Sequence, residues 1–349
     1  MWFKIIIKLS KSKILVTGGL GYIGSHTSVE LINNGFDVTI IDNLVNSEKF
    51  VLKRIEKITG EKISFYEFDI TDFKKINQFF KDNKFEAVIH FAALKSVNES
   101  LRYPEKYFKN NVDSLKNILR CIEAENISGI VFSSSCTVYG QPDNLPVNEN
   151  SPFKKPESPY AETKQICEKL IKNYCIDKGK YGVSLRYFNP VGAHDSSLIG
   201  ELPRGVPDNL VPYITQTAIG KRETLKVFGK DYKTIDGTPV RDYIHIVDLA
   251  NAHICALKRL LEKKSKKHYE FFNVGTGRGY SVLEVIKSFE EVSGVKLKYD
   301  IVGRREGDIE MIYSDNKLSK DELDWSSTRN IKEMMKSAWN WEKMLKNSF

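Results

Sequence analysis

A glycine-rich turn near the start of the chain constrains the fold more than any other feature of the sequence. Residues 13–26 read KILVTGGLGYIGSH, which is a β-like run, a turn and the start of a helix. Gly19, Gly21 and Gly24 fit G-x-G-x-x-G, and Gly18 with the last two fits the related G-x-x-G-x-x-G. Glycine lets the backbone turn tightly and approach a pyrophosphate, whose charge the helix N-terminus favours. The turn therefore predicts a dinucleotide-binding site.

An acidic residue at the end of the next β-like run strengthens this prediction. Asp42 closes the run DVTIID, residues 37–42. A carboxylate there accepts hydrogen bonds from both adenosine ribose hydroxyls and repels a 2′-phosphate, so NAD is favoured over NADP. Asp69 ends the third run and has two readings, a contact with the adenine edge or a loop cap.

Short apolar runs alternate with longer amphipathic stretches through the first half of the chain. Runs of this kind, apolar on both faces and separated by helices, predict a doubly wound parallel sheet of the Rossmann type. The predicted strands are 13–18, 37–42, 63–69, 87–92, 129–135 and 182–188, and the predicted helical stretches include 22–34, 72–83, 104–126 and 159–178.

The character of the sequence changes after Asn189, where a loop dense in glycine and proline begins. We therefore predict a NAD-binding domain over 12–189 and a smaller mixed α/β substrate-binding domain over 190–349, part of which returns to the first domain. Residues 1–11 are predicted to be an N-terminal extension, since their apolar stretch is too short for a signal sequence or a membrane span.

The amino-acid composition limits the kinds of binding partner and the cellular compartment that we expect. The formal net charge is +8, but the lysines are scattered, so we expect an anionic small ligand and no nucleic acid. No run approaches transmembrane length, and we expect no membrane partner. The five cysteines contain no C-x-x-C, which predicts free thiols in the cytoplasm. No histidine, cysteine or acidic spacing suggests a metal site.

The stretch SPYAETKQ, residues 158–165, carries the candidate chemistry. Ser158 and Pro159 are a typical helix start, so Tyr160 and Lys164 lie one turn apart on one helix face. A free tyrosine ionises near pH 10, about three units too high for a base at neutral pH. A nearby ammonium and a positive nicotinamide ring both favour the phenolate. Taken alone, the same spacing also arises by chance on ordinary helix surfaces.

The residues at two strand ends favour a functional role for Tyr160 and Lys164. The segment FSSSCTVYG places Ser133, Ser134, Ser135 and Thr137 at the carboxyl end of a parallel strand, where ligands of such sheets bind. A hydroxyl there can hold the substrate oxygen that loses its proton, and Ser135 is our candidate. For Ser133 a structural role is the better interpretation. Lys95, after the preceding strand, points to the cofactor at the same edge.

Eight segments, in this order, give a specific resemblance over about residues 12 to 345. They are TGGLGYIGSH, IDNL, HFAALKSV, FSSSCTVYG, SPYAETK, LRYFNPVGAH, VRDYIH and RREGD. This set resembles the UDP-glucose 4-epimerases of the extended short-chain dehydrogenase/reductase family. The resemblance implies tightly held NAD, reversible conversion of UDP-glucose and UDP-galactose, and a homodimer packed through helices near 104–124 and 159–177.

The resemblance also assigns roles to residues. Tyr160 removes the proton of the sugar 4-hydroxyl, Lys164 tunes Tyr160 and binds ribose, and Ser135 steadies the 4-oxygen. The implied cofactor-binding residues are Gly18, Gly21, Tyr22, Ile23, Gly24, Asp42, Asn43, Asn46, Asp69, Ile70, Phe91, Ala92, Lys95, Asn110 and Tyr187. The implied substrate-binding residues are Ser135, Tyr160, Asn189, Asn209, Phe228, Arg241, Arg305, Asp308 and Ile312.

Related sugar-nucleotide enzymes with other activities differ from this sequence at a few positions. Sugar-nucleotide 4,6-dehydratases, our alternative, carry an Asp-Glu pair where Cys136 and Thr137 stand, and UDP-glucuronate decarboxylases carry Glu in place of Thr137. A non-catalytic NAD-sensing protein is a third possibility, against which the serine, tyrosine and lysine argue. Ile312 falls where glucose-restricted epimerases carry tyrosine and N-acetyl-tolerant ones a small residue, so we expect a wider pocket that admits UDP-GalNAc.

Overall fold

The structure is a computed structural model, and it describes residues 11–305 and 308–347. Apart from Lys11, whose ammonium donates to Glu61 over 2.8 Å, the predicted N-terminal extension lies outside the described residues. Within the described ranges, no helix is both long enough and apolar enough to cross a membrane.

A seven-stranded sheet, parallel throughout, forms the centre of the molecule. Its order is β10-β6-β5-β4-β1-β2-β3, so the chain winds outward in both directions from β1 and β4. This confirms the predicted doubly wound fold. The strands are β1 Lys13–Thr17, β2 Asp37–Asp42, β3 Ser64–Glu67, β4 Ala87–His90, β5 Gly129–Ser135, β6 Tyr181–Tyr187 and β10 Tyr269–Val274.

Each face of this sheet has its own apolar core, because successive strand residues point to opposite faces. In β1, Ile14 and Val16 pack with helices α1, α2 and α9, whereas Leu15 packs with α3, α6 and α7. The helices that cover the two faces are α1 Tyr22–Asn33, α2 Phe50–Thr59, α3 Phe73–Asp82, α6 Ser114–Ala124, α7 Pro159–Lys178 and α9 Ile246–Leu261.

Helix α7 has the bounds that its sequence predicts. The Ser158 hydroxyl accepts from the Ala161 amide over 3.2 Å, and Pro159 occupies the first helical position. Gly179, with a φ of 61°, ends the helix in the left-handed conformation that glycine adopts most readily. Tyr160 and Lys164 are therefore held on a helix that is fixed at both ends.

The predicted helical stretch 104–126 is interrupted. It divides into α5 Pro104–Tyr107, a π-helical turn over Phe108–Asp113, and α6. A π-helical turn re-aims the side chains within it. Here it directs the Asn111 side chain at the loop after β4, where it accepts from the Leu94 amide over 2.8 Å and donates to the Leu94 carbonyl over 3.0 Å.

Smaller sheets and helices follow β6. A four-stranded sheet contains β7 Asn189–Val191, β9 Val240–His245, β11 Gly279–Ser281 and β13 Met311–Ile312, and a pair contains β8 Leu225–Phe228 and β12 Tyr299–Val302. The remaining helices are α4 Val97–Arg102, α8 Leu210–Ala218, α10 Val282–Ser293, α11 Lys317–Leu323 and α12 Ile331–Lys346, with a 3₁₀ turn over Cys136–Tyr139. Strand β10 belongs to the large sheet, and helix α9 packs on one face of it, although both follow residue 190. The division at 189–190 stays a prediction.

Candidate functional site

The glycine turn lies between β1 and α1, at the point where the strand order reverses. Gly18 has a φ of 69°, and its amide donates to the Ile41 carbonyl over 2.7 Å. A Cβ on Gly24 would lie 2.2 Å from the Gly18 carbonyl oxygen, so only glycine lets α1 pack this close to the turn. Gly21 provides no side-chain cap for α1, which leaves the amides of the first helical turn available to an anion.

Asp42 lies at the end of β2, where it organises the neighbouring loops. Its carboxylate accepts from the Leu20 amide over 3.0 Å, from the Leu44 amide over 2.9 Å and from the Ser47 hydroxyl over 2.7 Å. A carboxylate offers about four acceptor positions, so one remains for a further donor. Asp42 thus fixes the glycine turn and the loop after β2 relative to one another.

The remaining predicted residues around this turn lie at the same sheet edge with different contacts. Tyr22 donates to the Gly192 carbonyl over 2.7 Å, and Asn43 accepts from the Val45 amide over 3.2 Å. Asp69 accepts from the Thr71 amide over 2.8 Å, a loop-capping contact, and its contact with adenine stays a prediction. The side chains of Ile23, Asn46 and Ile70 are half-buried, exposed and buried, respectively.

A narrow cleft opens beyond β4 and β5. Predicted residues from two separate parts of the sequence meet there: Phe91 and Ala92 after β4, and Lys164 from α7. His90, at the end of β4, contributes a neutral ring, because burial lowers the pKa of His90 to about 3. The other lining residues are Ala93, Asn111, Phe132 and Cys167.

Two further predicted cofactor residues, Lys95 and Asn110, lie near this cleft and bond to protein groups. Lys95 forms an ion pair with Glu201 over 3.2 Å, and its side chain is 58% exposed. The Asn110 side chain donates to the side-chain oxygen Oδ1 of Asn111 over 2.9 Å, and Asn111 is the residue that holds the loop after β4. The Tyr187 hydroxyl is buried and has no hydrogen-bond partner among the described residues.

Tyr160 and Ser135 meet at the carboxyl end of β5. The Ser135 hydroxyl accepts from the Thr137 amide over 3.2 Å. Burial raises the pKa of Tyr160 to about 12, and hydrogen bonding with Ser135 opposes this shift. We expected the ammonium of Lys164 to favour the phenolate, but in this structure the desolvation of Tyr160 is the stronger effect.

Lys164 is a buried cation one helical turn from Tyr160. Its side chain is 3% exposed, and its ammonium donates to the Ser133 carbonyl over 2.6 Å. The ammonium nitrogen lies 5.8 Å from the centre of the Tyr160 ring and 4.9 Å from that of Phe132. Burial lowers the pKa of Lys164 to about 8, so its charge is retained at neutral pH and lost in mild alkali.

The predicted substrate residues Arg241 and Asp308 form an ion pair with each other. The Arg241 guanidinium also donates to the Ile309 carbonyl over 2.6 Å. Arg305 lies further out, with its guanidinium 3.8 Å from the Asp208 carboxylate. Arg241 is therefore rigidly held, whereas Arg305 makes only long contacts.

Ile312 pairs in register with Arg241, since β13 lies alongside β9. Its side chain is 2% exposed and shares an apolar cluster with Cys136 and Val138, directly after Ser135. Ile312 is therefore brought beside the Ser135 end of β5. Asn189 begins β7, Asn209 donates to Glu201 over 2.7 Å, and Phe228 ends β8 with 38% of its surface exposed.

Sequence reasoning missed the residues that fasten the loop after β7 to the large sheet. Arg204 donates to the carbonyls of Leu44 and Ser47 over 3.0 and 2.9 Å, and Asp208 accepts from the Ser96 hydroxyl over 2.8 Å. These contacts join parts of the chain that are more than 100 residues apart, so no local sequence pattern predicts them.

Sequence reasoning also missed a buried ion pair between Glu168 and Arg186, beneath Lys164. Two signals were available in this case. Arg186 interrupts a strand that is otherwise predicted to be buried, and Glu168 lies one helical turn beyond Lys164 on the same face.

A doubly wound parallel sheet, a glycine turn at its switch point and a serine, tyrosine and lysine at the adjoining edge define the short-chain dehydrogenase/reductase class. A family model described as GDP-mannose 4,6 dehydratase matches residues 15–338. The UDP-glucose 4-epimerase of Pasteurella multocida is 47% identical over 95% of this chain and 97% of its own, and that of Bacillus subtilis is 46% identical over 96% and 98%. This chain belongs to the UDP-glucose 4-epimerase family.

Solved structures agree with this assignment. The UDP-glucose 4-epimerase from Bifidobacterium longum, crystallised in complex with NAD+ and UDP, superposes with a TM-score of 0.92 at 42% identity. The match covers 97% of this chain and 100% of that one. The resemblance that the eight sequence segments indicated is confirmed.

The buried charge of Lys164 predicts a pH dependence of stability. The folded protein holds this proton less tightly than the unfolded chain, since burial lowers the pKa of Lys164 from 10.5 to about 8. Below about pH 8 the folded state bears the full cost of the buried charge. That cost falls as pH rises towards 10, so wild type should gain about 2 kcal/mol relative to Lys164→Met over this interval.

Urea unfolding of the cofactor-free proteins at several pH values measures this gain. Lys169→Met, an exposed position on the same helix, is the matched control and should track wild type at every pH. A free-energy difference between wild type and Lys164→Met that does not change with pH would contradict the prediction.

Proposed function

We propose that the protein is an isomerase that interconverts UDP-glucose and UDP-galactose at C4, with NAD as bound cofactor, in galactose metabolism. The observation that carries this proposal is the convergence of Ser135, Tyr160 and Lys164 at the carboxyl end of β5, beside the cleft after β4. The relatives bear the same activity in their names.

The residues present fit a dinucleotide. The uncapped start of α1 offers amides to a pyrophosphate, and Asp42 keeps an acceptor position for a ribose hydroxyl. The buried, unpaired hydroxyls of Tyr187 and Thr137 lie at the adjoining strand ends. The residues that we propose to hold NAD are Gly18, Gly21, Tyr22, Ile23, Gly24, Asp42, Asn43, Asn46, Asp69, Ile70, Phe91, Ala92, Lys95, Asn110 and Tyr187.

When bound, NAD would supply a reversible hydride acceptor for C4 of the sugar and, in its oxidised form, a positive charge. Tyr160 takes the proton of the sugar 4-hydroxyl and later returns one to the 4-oxygen. Ser135 holds that oxygen by a hydrogen bond. Lys164 counters the effect of burial on Tyr160 and binds ribose. The configuration at C4 inverts when the 4-keto sugar presents its other face, and there is no net oxidation.

The substrate is held by groups of the four-stranded sheet and its loops. Arg241 suits a diphosphate because its planar guanidinium presents a fork of donors and is already fixed by Asp308 and the Ile309 carbonyl. The full set that we propose to bind the UDP-sugar is Ser135, Tyr160, Asn189, Asn209, Phe228, Arg241, Arg305, Asp308 and Ile312.

The alternative, a 4,6-dehydratase, lacks the groups that it needs. Loss of water requires an acid and a base at the positions of Cys136 and Thr137. Burial raises the pKa of the Cys136 thiol to about 12, so it does not act as an acid or base at neutral pH. A threonine hydroxyl cannot replace a carboxylate in this role. The epimerase function is therefore favoured over the description that the family model bears.

Replacement of Tyr160 tests the proposed function. Tyr160→Phe removes the group that takes the sugar proton, so turnover of UDP-galactose to UDP-glucose should fall at least about 100-fold. NAD released on denaturation should stay at the wild-type amount. Tyr174→Phe, on the same helix, is the control, since its buried hydroxyl has no hydrogen-bond partner among the described residues. Unchanged turnover in Tyr160→Phe would refute the assignment.

Ile312 should also permit N-acetylated sugars. Its side chain packs away into the cluster behind Cys136, and a tyrosine there is too large for that interior and must project towards the sugar. Wild type should convert UDP-galactose and UDP-GalNAc at comparable rates, and Ile312→Tyr should lose at least about tenfold on UDP-GalNAc alone. An absence of UDP-GalNAc turnover by wild type would exclude this specificity.

The proposal includes a homodimer in the cytoplasm. Free cysteines suit a reducing compartment. We propose that the dimer packs through the helices near 104–124 and 159–177. Exposed apolar side chains support this at its borders: Leu101 on α4, Tyr103 directly before α5, and Ile176 on α7. Light scattering should give twice the chain mass of 40.0 kDa, and Ile176→Asp should shift the protein to the monomer. A single-chain mass at all concentrations would contradict the dimer.

A further inference from the structure

A buried ion pair lies one helical turn below Lys164. The Arg186 guanidinium donates to both oxygens of the Glu168 carboxylate, from Nη2 over 2.6 Å and from Nε over 2.9 Å. Both side chains are 3% exposed. Charges that deep are costly unless they are paired and their remaining hydrogen-bonding positions are filled, so this pair is expected to be engaged on all sides.

The Arg186 end of the pair is closed by aromatic and amide groups. Its Nη1 donates to the Tyr139 hydroxyl over 2.9 Å, and that hydroxyl donates to the side-chain oxygen Oδ1 of Asn273 over 2.6 Å. The guanidinium carbon lies 4.1 Å from the centre of the Phe271 ring and 4.9 Å from that of Phe153. Arg186 therefore has no freedom to leave Glu168.

At the other end of the pair, Glu168 contacts β5, the strand that ends at Ser135. Its carboxylate accepts from the Ser134 hydroxyl over 2.5 Å. Ser134 stands between Ser133, whose carbonyl accepts from the Lys164 ammonium over 2.6 Å, and Ser135. Helix α7 and strand β5 are thus joined by two contacts one helical turn apart, and the carboxylate is the anchor of the lower one.

We propose that Glu168, held in place by Arg186, is a positioning residue that sets where the Lys164 ammonium and the Ser135 hydroxyl lie relative to Tyr160. This inference rests on the proposed function. Glu168 does not line the cleft after β4, and its hydrogen bonds go to Arg186, Ser134 and Tyr269 and not to Ser135 or Tyr160. It acts through the strand end and through its charge.

The charges around Lys164 give this inference a measurable consequence. Glu168 raises the pKa of Lys164 and so opposes the effect of burial. The other titratable groups that face Lys164 are neutral near pH 7: Tyr160 and Cys167 on its own helix, whose pKa values are about 12, and His90 on β4, whose pKa is about 3. Loss of the Glu168 charge should therefore let Lys164 lose its proton at lower pH.

The test compares two isosteric replacements in the holoenzyme. Glu168→Gln removes the charge beneath Lys164. Glu270→Gln is the matched control, since Glu270 forms a similar bidentate pair with Arg259 over 2.8 and 2.9 Å, with 9% of its side chain exposed. Glu270 follows Tyr269 in β10 and so points to the other face of the sheet, where α9 packs.

For Glu168→Gln we expect kcat on UDP-galactose to fall about 100-fold, with KM changed less than about threefold, because a small displacement at the reacting atoms has effects of this size. The alkaline limb of its kcat–pH profile should move to lower pH by about one unit. Glu270→Gln should lower the melting temperature and leave kcat and the pH profile as in wild type. Glu168→Gln with wild-type kcat and profile, despite a lowered melting temperature, would overturn the inference.

A second variant and a second measurement keep the test decisive if Glu168→Gln does not fold. Ser134→Ala removes one hydrogen bond to Glu168 and leaves the ion pair, so it should lower kcat about tenfold at a near-wild-type melting temperature. An unchanged kcat in this variant would count against the inference.

Carbon-13 NMR of labelled lysines reports the pKa of Lys164 without turnover, with Lys164→Met to assign its signal. That pKa should fall in Glu168→Gln and stay constant in Glu270→Gln. An inactive wild type would refute the proposed function alone, whereas an unmoved Lys164 pKa would refute the positioning role alone.

Discussion

The hydrogen bond from the Lys164 ammonium to the Ser133 carbonyl is the contact on which the site depends. It places a cation at the junction of α7 and β5, in a position that is almost free of solvent. A buried cation of this kind makes a nearby anion easier to form, which is what a tyrosine base needs. The surrounding groups hold α7 against the strand so that this costly arrangement persists.

The parallel sheet explains why residues so distant in sequence share one edge. Strands that run in the same direction end on the same side, so Asp42, His90, Ser135 and Tyr187 come together without any local relation between them. The alternation of apolar runs and helices was enough to predict this edge from the sequence. The family relationship then agrees with the chemistry that the edge suggests.

Local sequence signals predicted helix and turn positions well where a single residue type determines the backbone conformation. Ser158, Pro159 and Gly179 give α7 the bounds that the sequence indicates, and Gly18 and Gly24 determine the turn. The sequence analysis missed the π-helical turn within 108–113, because the spacing of apolar residues does not show where a helical turn contains an extra residue.

Long-range contacts were beyond sequence reasoning. The pairing of Lys95 with Glu201, and the bonds from Asn111 to the loop after β4, depend on which loops meet in space. The buried Glu168–Arg186 pair left two signals, a charge in a buried strand and an acid one helical turn beyond Lys164, but no local pattern shows that the two residues meet. The desolvation of Tyr160, which outweighs the nearby ammonium, also depends on the packed structure.

The proposed function requires that one hydride leaves C4 of the sugar and returns to the same carbon without exchange with the solvent. The direct measurement uses UDP-galactose that carries deuterium at C4, incubated with the purified protein in ordinary water with unlabelled NADH in solution. We predict UDP-glucose that retains the deuterium at C4. Deuterium lost to water or found in the free cofactor would contradict the claim.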